Sequence, residues 1–178
     1  MIFLETDRLI IRNVKPKDAD IMHDYRNNEI CARYQRGQTK DYEDIVALID
    51  RRKNDVINDS APFFTAIALK NTDDMVGEIV VIPKGESIFM GYTFSYKHHR
   101  KGYAYEALSA FIDKLHSLYP GKAFICLTER ENAPSIALLN KLGYKYMGYS
   151  PSITSEVFSK WASAEHEKYV IEDIGITE

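Results

Sequence analysis

The chain has 178 residues, of which 45% are hydrophobic and 28% are charged, and its net charge at pH 7 is −3. This length and composition are typical of a globular protein, and we expect a single domain over residues 1–178. The small negative charge argues against nucleic-acid binding, and no segment approaches the roughly 20 apolar residues that cross a membrane.

The two cysteines and the first residues of the chain indicate the compartment. Cys31 and Cys126 lie far apart in the sequence, and Cys126 lies inside an apolar run, which favours buried free thiols. The first eight residues carry acidic side chains where a signal peptide would carry basic ones. We therefore expect a cytoplasmic protein with reduced cysteines that binds no membrane.

The first half of the chain predicts strands on either side of two helices. Residues 9–14 are apolar enough for a first strand. A helix begins near Pro16 and Asp18 and ends near Arg26, and Asp41 is positioned to cap a second helix. Apolar runs separated by turn residues then predict three strands, over residues 63–69, 75–82 and 87–96.

The second half predicts helices that alternate with strands. Residues 102–118 carry apolar side chains at helical spacing, and residues 122–128 form a mostly apolar strand. A short helix over 132–142 has Pro134 in its first turn. The last strands are predicted over residues 144–149 and 168–172. Together these elements predict a mixed α/β sheet with at least one parallel pairing.

The turn between residues 98 and 104 predicts an anion-binding site. A strand leads through a basic turn into a helix, whose first N–H groups have no partner within the helix and carry partial positive charge. Arg100 and Lys101 add full charges. Gly102 allows close approach of the backbone, and Ala104 leaves room for a ligand, for which we expect a phosphate or pyrophosphate. The alternative is a basic helix start in which the glycine serves only the turn.

The same turn resembles the pyrophosphate loop of the GNAT acetyltransferases, whose pattern is Gln/Arg-x-x-Gly-x-Gly/Ala. In this chain it reads His99-Arg100-Lys101-Gly102-Tyr103-Ala104, and His99 departs from the usual first residue. A second segment, Asn132-Ala133-Pro134-Ser135 followed by Leu142-Gly143-Tyr144, resembles the Asn-x-x-Ser…Leu-Gly-Phe motif of the same family. Read alone, Asn132 is an ordinary helix cap. Residues 5–12 are similar to the opening of the ribosomal-protein N-terminal acetyltransferases within this family.

The resemblance covers nearly the whole chain and implies the GNAT fold. This fold is a mixed, mostly antiparallel sheet of about seven strands with about four helices, in which the fourth and fifth strands splay apart in a V. Acetyl-CoA is then the co-substrate, and no metal is implied. Its pantetheine would pair with the backbone of Phe94, Ser95 and Tyr96. Its pyrophosphate would lie on residues 99–104, and Asn132 and Ser135 complete the implied cofactor site.

The resemblance also implies catalytic roles. Ser135 is the implied acid for the departing CoA thiolate, because Leu139 stands where many family members have a tyrosine. The base stays open, since the ribosomal-protein branch often has a glutamate on its fourth strand, where this chain reads Phe89-Met90-Gly91-Tyr92. Glu156 is the first candidate for the base. Glu78 and Glu86 are weaker candidates, and a solvated surface glutamate is the alternative for each.

Hypotheses of different classes follow for the function. The favoured one is an N-acetyltransferase that acts on a primary amine, such as a peptide or protein N-terminus, whose α-amino group loses its proton more easily than a lysine side chain. The alternatives are a catalytically weak acyl-CoA-binding or sensor domain and an acetyltransferase for polyamines or aminoglycosides. Tyr25, Tyr34 and Tyr92 are candidates for the acceptor cleft, with ordinary packing as the alternative. A monomer or a homodimer is expected.

Overall fold

The computed structural model describes residues 1–177. Within them, eight strands form one sheet, namely β1 (Ile2–Glu5), β2 (Leu9–Arg12), β3 (Phe63–Leu69), β4 (Met75–Lys84), β5 (Ser87–Phe94), β6 (Ala123–Thr128), β7 (Lys145–Ser150) and β8 (Ser155–Lys160). Their order across the sheet is β1-β2-β3-β4-β5-β6-β8-β7. All neighbouring strands run antiparallel except β5 and β6, which are parallel. The predicted mixed, mostly antiparallel sheet is confirmed.

The α-helices of the same residues are α1 (Ala19–Asn27), α2 (Glu29–Ala32), α3 (Tyr42–Arg52), α4 (Tyr103–Leu118), α5 (Ala133–Lys141) and α6 (Ala164–Ile174). Helices α4 and α5 cover one face of the sheet. Helices α1 and α3 cover the other face over β3 and β4, and α6 covers that face over β6 and β8. None of the helices in residues 1–177 combines the length and apolarity needed to cross a bilayer.

Helix α4 carries its apolar side chains at the spacing that the sequence predicts. Leu108, Phe111, Ile112 and Leu115 lie one turn apart on one face, and all four are buried against the sheet. Phe111 packs edge-on against Phe63 of β3. The helix therefore has a fixed position relative to the sheet, and so does the turn that leads into its first residue.

The strand predicted over residues 168–172 is wrong, because these residues lie inside α6. Ser163 caps this helix, and its buried residues, Val170 and Ile174, lie one turn apart. Of the adjacent apolar residues Val170 and Ile171, only Val170 is buried, and Ile171 is exposed. The last strand along the chain is β8 instead. Its short apolar centre is flanked by polar residues, so the sequence pattern indicates this strand only weakly.

Strand β5 also ends earlier than predicted, at Phe94 instead of Tyr96. The Ser95 carbonyl accepts a hydrogen bond of 2.9 Å from the His98 N–H, which folds residues Tyr96–His98 into a 3-10 turn. Strand β1, which the sequence analysis missed, is short and lies at the edge of the sheet. Because β1 precedes the predicted first strand, the two strands that splay apart are the fifth and sixth of the chain instead of the fourth and fifth.

A buried ion pair connects three separate elements on the β2 side of the sheet. The Arg12 side chain is 1% exposed and lies 2.8 Å from Asp18 at the start of α1. The Arg12 Nε also lies 2.5 Å from Asp73 in the turn between β3 and β4. A guanidinium that is buried to this degree is stable only while carboxylates compensate its charge.

We predict that Asp18→Ala lowers the free energy of unfolding by about 3 kcal/mol, because it leaves the buried Arg12 charge poorly compensated. Asp50→Ala is the matched control, since Asp50 pairs with Lys53 on the surface of α3, where solvent screens the interaction. Urea denaturation of both variants measures the difference. Equal losses in the two variants would contradict the role assigned to the Arg12 ion pair.

Candidate active site

The site is a V-shaped cleft between β5 and β6. The parallel ladder of these strands runs from Ser87 and Ala123 to Met90 and Cys126 and stops there. Both strands continue, β5 to Phe94 and β6 to Thr128, each paired only with its other neighbour. The strands must therefore diverge beyond Met90 and Cys126, which agrees with the predicted splay.

The edge of β5 that faces the cleft consists of the backbone groups of Tyr92 and Phe94. The Ser95 N–H donates to the Val76 carbonyl of β4, and backbone groups alternate in direction along a strand, so those of Tyr92 and Phe94 point away from β4. The Tyr92 carbonyl accepts a hydrogen bond of 3.2 Å from the Gln35 side chain. The Phe94 carbonyl contacts His99 Nε2 at 2.9 Å and Cys31 Sγ at 3.3 Å. Side chains thus occupy the two carbonyls of β5 that no neighbouring strand pairs.

Hydrogen bonds within the protein already engage some of the backbone groups predicted to contact pantetheine. The N–H of Ser95 is bonded to β4 and its carbonyl to His98, and the Tyr96 carbonyl accepts the His99 N–H. Of the three residues expected to pair with pantetheine, Ser95 has both backbone groups bonded within the protein and Tyr96 has its carbonyl bonded, whereas the backbone groups of Phe94 point away from β4. The backbone groups of Tyr92 also point away from β4, so Tyr92 is a further candidate for this contact.

The turn at the N-terminus of α4 has the geometry of an anion-binding loop. Arg100 (φ 59°) and Gly102 (φ 79°) are both left-handed, on either side of Lys101, and such alternation turns successive N–H groups toward one point. Gly102 caps α4 without a side-chain hydrogen bond, so the first N–H groups of the helix are free for an anion.

A residue that the sequence analysis did not single out holds this turn in place. The Arg8 guanidinium donates to the Lys101 carbonyl at 2.9 Å and lies over the Tyr103 ring. Glu106 of α4 accepts hydrogen bonds from the backbone and the side chain of Arg8. The loop is therefore connected to the start of β2, and its shape depends on contacts that lie far away in the sequence.

Ser135 and Tyr92 bridge the two arms of the cleft. Asn132 accepts a hydrogen bond of 3.3 Å from the Ser135 N–H and so caps α5, as predicted. The Ser135 hydroxyl lies 2.9 Å from the Tyr92 hydroxyl of β5. Burial and the neighbouring Cys126 raise the pKa of Tyr92 above its ordinary value, although the hydrogen bond with Ser135 lowers it somewhat. Tyr92 is therefore protonated at neutral pH.

Glu156 lies on β8 opposite Thr128, the last residue of β6. Its side chain is buried, and its two oxygens accept hydrogen bonds from Arg130 at 2.6 Å and from Tyr146 at 2.5 Å. Burial raises the pKa of this carboxyl, but the hydrogen bonds from Tyr146 and Arg130 outweigh it and lower the pKa below the ordinary value. A carboxylate of lowered pKa with both oxygens hydrogen-bonded is a weak base, so these contacts do not favour Glu156 in the predicted role of the base.

The two weaker candidates for the base are also accounted for by the fold. Glu78 is 2% exposed and is bonded to Arg26 at 2.9 Å, to Tyr25 and to Gln38. Tyr25 is fully buried and donates to Glu78 in this network, which is the packing role given as the alternative for this residue. Glu86 lies in the turn before β5, at the end of the strand opposite to the cleft.

Residues 33–40, between α2 and α3, form a bridging segment across the cleft. Arg36 donates to Glu129 after β6 and to the carbonyls of Ile153 and Thr154 after β7, each at 2.8 Å. Tyr34 donates to the Glu131 carbonyl at 3.0 Å. An acceptor that reaches the cleft from this side must pass the bridging segment or displace it. No sequence pattern predicted these contacts, although Tyr34 was a candidate for the acceptor cleft.

Comparison with known proteins agrees with this geometry. Residues 8–145 match the family model described as an acetyltransferase (GNAT) domain. An uncharacterized N-acetyltransferase of Bacillus subtilis, YnaD, is 28% identical over 148 residues, which cover 82% of this chain and 84% of that protein.

Solved structures show the same fold. A GNAT-family acetyltransferase from Bacillus anthracis superposes with a TM-score of 0.75 at 22% identity and covers 89% of this chain and 96% of its own. The ribosomal-protein-S5-alanine acetyltransferase from Vibrio fischeri has a TM-score of 0.68 at 17% identity, with coverages of 90% and 96%. At these identities the likeness concerns the fold alone.

The hydrogen bonds of Glu156 predict a pH-dependent contribution to stability. Because its pKa is lower in the folded than in the unfolded chain, the carboxylate stabilises the fold above the unfolded-state value of about 4.3, and this is lost as the pH falls through the folded-state value. We expect Glu156→Gln to cost about 1 kcal/mol of unfolding free energy at pH 7, since Arg130 is exposed and solvent screens the pair.

Denaturation at pH 7 and near pH 3 measures this difference. Glu167→Gln is the control, because Glu167 pairs with Lys145 on the surface and should have a much smaller effect. A loss from Glu156→Gln that is the same at both pH values would contradict the assignment.

Proposed function

The chain belongs to the GNAT acetyltransferase family, and from this premise and the geometry of the cleft we propose that it transfers the acetyl group of acetyl-CoA to an α-amino group at the N-terminus of a peptide or protein. One observation carries the cofactor part of the proposal. The left-handed turn at Arg100 and Gly102 directly follows His99, whose side chain contacts the Phe94 carbonyl on the unpaired edge of β5. An anion site beside a free strand edge suits a ligand with a pyrophosphate at one end and an amide chain at the other.

Acetyl-CoA would use both parts of this site. Its pyrophosphate would lie on the N–H groups of residues 100–104, and its pantetheine amides would pair with the backbone of Tyr92 and Phe94. The side chains of Gln35 and His99 would then leave the carbonyls that they occupy. Displacement of these side chains costs little, because the ligand supplies equivalent hydrogen bonds to the same carbonyls.

The transfer itself requires that a C–N bond forms while the C–S bond of the thioester breaks. The amine attacks as the free base and loses its extra proton to water, and the thiolate leaves with the electron pair of the C–S bond. Ser135 supports this proposal, because its hydroxyl lies at the cleft and can donate a hydrogen bond to the developing thiolate.

The buried candidate carboxylates are already engaged in ion pairs, and this favours an α-amino group as the acceptor. Glu78 is held in a buried ion pair and Glu156 is paired with the exposed Arg130, and the hydroxyls of Tyr92 and Ser135 bond no carboxylate within residues 1–177. An α-amino group has a pKa of about 7.7–8.0 and a lysine about 10.4, so the α-amine needs less help from a base. The Vibrio fischeri protein, by its name, acts on a ribosomal-protein alanine, which is consistent with this acceptor class.

A second candidate function is an acyl-CoA-binding domain with little catalysis. Phe89 supports it, because this residue stands where the ribosomal-protein branch often has a glutamate. Thiol release from acetyl-CoA across a panel of amines distinguishes the two. Binding of acetyl-CoA without thiol release from any amine would favour the binding domain.

We predict that Gly102→Glu weakens acetyl-CoA binding by about 100-fold or more, because the added carboxylate would face the pyrophosphate. Gly102→Ala is the first control, since it shares the strain of a left-handed residue (φ 79°) and adds no charge. Gly121→Glu is the second, because Gly121 has open space around it after α4. Calorimetric titration measures all three, and unchanged affinity in Gly102→Glu would remove the cofactor assignment.

We further predict that short peptides with a small, free N-terminal residue are acetylated faster than spermidine or an aminoglycoside at equal concentration. The same peptide with a blocked N-terminus and an internal lysine is the matched control. Mass spectrometry locates the acetyl group. A clear preference for a polyamine, or acetylation of lysine alone, would contradict the acceptor class.

A further inference from the structure

The hydrogen bond between Tyr92 and Ser135 joins residues on opposite arms of the cleft, at a distance of 2.9 Å. Tyr92 comes from β5, and Ser135 comes from the first turn of α5 after β6. Both side chains are partly buried, and each hydroxyl can donate one hydrogen bond and accept others. The direction of this bond decides what Ser135 can do, since a hydroxyl has one proton to donate.

The two directions have different consequences. If Ser135 donates to Tyr92, its only proton is occupied and no hydrogen bond can reach the thiolate. If Tyr92 donates to Ser135, the Ser135 proton is free to point into the cleft. The second direction is favoured chemically, because a phenol is a better donor than an aliphatic hydroxyl and Tyr92 remains protonated.

We propose that Tyr92 is a positioning residue, which donates its hydrogen bond to Ser135 Oγ and thereby directs the Ser135 proton toward the sulfur of the leaving thiolate. This inference rests on the proposed function. Electrons and protons balance, because the C–S electron pair goes to sulfur while both hydroxyl protons stay on their oxygens as donors. The chain of two hydroxyls strengthens the second hydrogen bond, since each polarises the next.

The neighbouring residue one turn after Ser135 on α5 has no hydroxyl group. Leu139, one turn further along α5, is 1% exposed and packs in the core with the residues of α4. The phenol therefore comes from the strand on the other side of the cleft. A strand inside a ladder is a rigid support, and Tyr92 is paired with Ile79 of β4.

A double-mutant cycle tests the inference with any accepted amine at saturating acetyl-CoA. We expect Ser135→Ala to lower kcat about 10–1,000-fold. Tyr92→Phe should lower kcat about 5–20-fold, with the KM for acetyl-CoA changed by less than about threefold. In the Ser135→Ala background, Tyr92→Phe should change kcat by less than about twofold, because no serine proton remains to be directed.

Two further variants keep the test specific. Ser135→Thr retains a hydroxyl, so the effect of Tyr92→Phe should persist in that background. Tyr144→Phe is the matched control, because it removes another buried tyrosine hydroxyl, which lies beside the Cys126 thiol and makes no hydrogen bond with Ser135 among residues 1–177. Its removal should leave kcat within about twofold, and thermal melts confirm that every variant is folded.

Three outcomes would overturn the inference. Equal losses from Tyr92→Phe in the wild-type and Ser135→Ala backgrounds would make the effect of Tyr92 merely structural. A larger loss from Tyr92→Phe than from Ser135→Ala would make Tyr92 the direct donor to sulfur. Absence of turnover by the wild-type protein with every amine would reject the proposed function itself, and the inference with it.

Discussion

The end of the ladder between β5 and β6 is the constraint on which the rest of the site depends. Up to Met90 and Cys126, the two strands share hydrogen bonds and a core of buried side chains on both faces of the sheet. Beyond that point β5 remains paired with β4, and β6 remains paired with β8. The sheet therefore opens without losing either of its halves. The opening exposes only one strand edge on each side, which limits the number of unsatisfied backbone groups.

Charge around the cleft is largely neutralised within the protein. Arg8 pairs with Glu106, Arg26 with Glu78, and Arg130 with Glu156. Apart from the charged Arg100 and Lys101 side chains of the turn, the groups that remain for a ligand are backbone N–H groups, backbone carbonyls and two hydroxyls. Such groups are fixed by the strands and helices that carry them, and they keep the same state over the physiological pH range. The chemistry of this site therefore depends on the placement of dipoles more than on a titrating side chain.

The sequence predicted the parts of the site that are set by short stretches of chain. The turn over residues 99–104 and the cap at Asn132 follow from residues within a few positions of each other, and the structure has both. Contacts between distant residues were not predictable. Arg36 is hydrogen-bonded to Glu129, which lies 93 residues later in the sequence. Tyr92 is hydrogen-bonded to Ser135, which lies 43 residues later. No local pattern records such a pair, because it arises only when separate elements pack.

The errors have the same origin. Val170 and Ile171 are adjacent and apolar, which is typical of a strand, and only the packing of α6 on the sheet shows that one of them faces solvent. The end of β5 at Phe94 depends on a single turn of hydrogen bonds after Ser95. Local propensity gives way to tertiary contacts at such positions.

The side chains on the open edge of β5 have a consequence for the protein in solution. An unpaired strand edge is a template for the strand of another molecule, and such edges are where proteins domain-swap and aggregate. The side chains of Gln35, His99 and Cys31 contact the carbonyls of Tyr92 and Phe94. These carbonyls are therefore already hydrogen-bonded and do not offer free acceptors to a strand of another molecule. An edge that must stay open for a ligand is in this way kept closed to other protein chains.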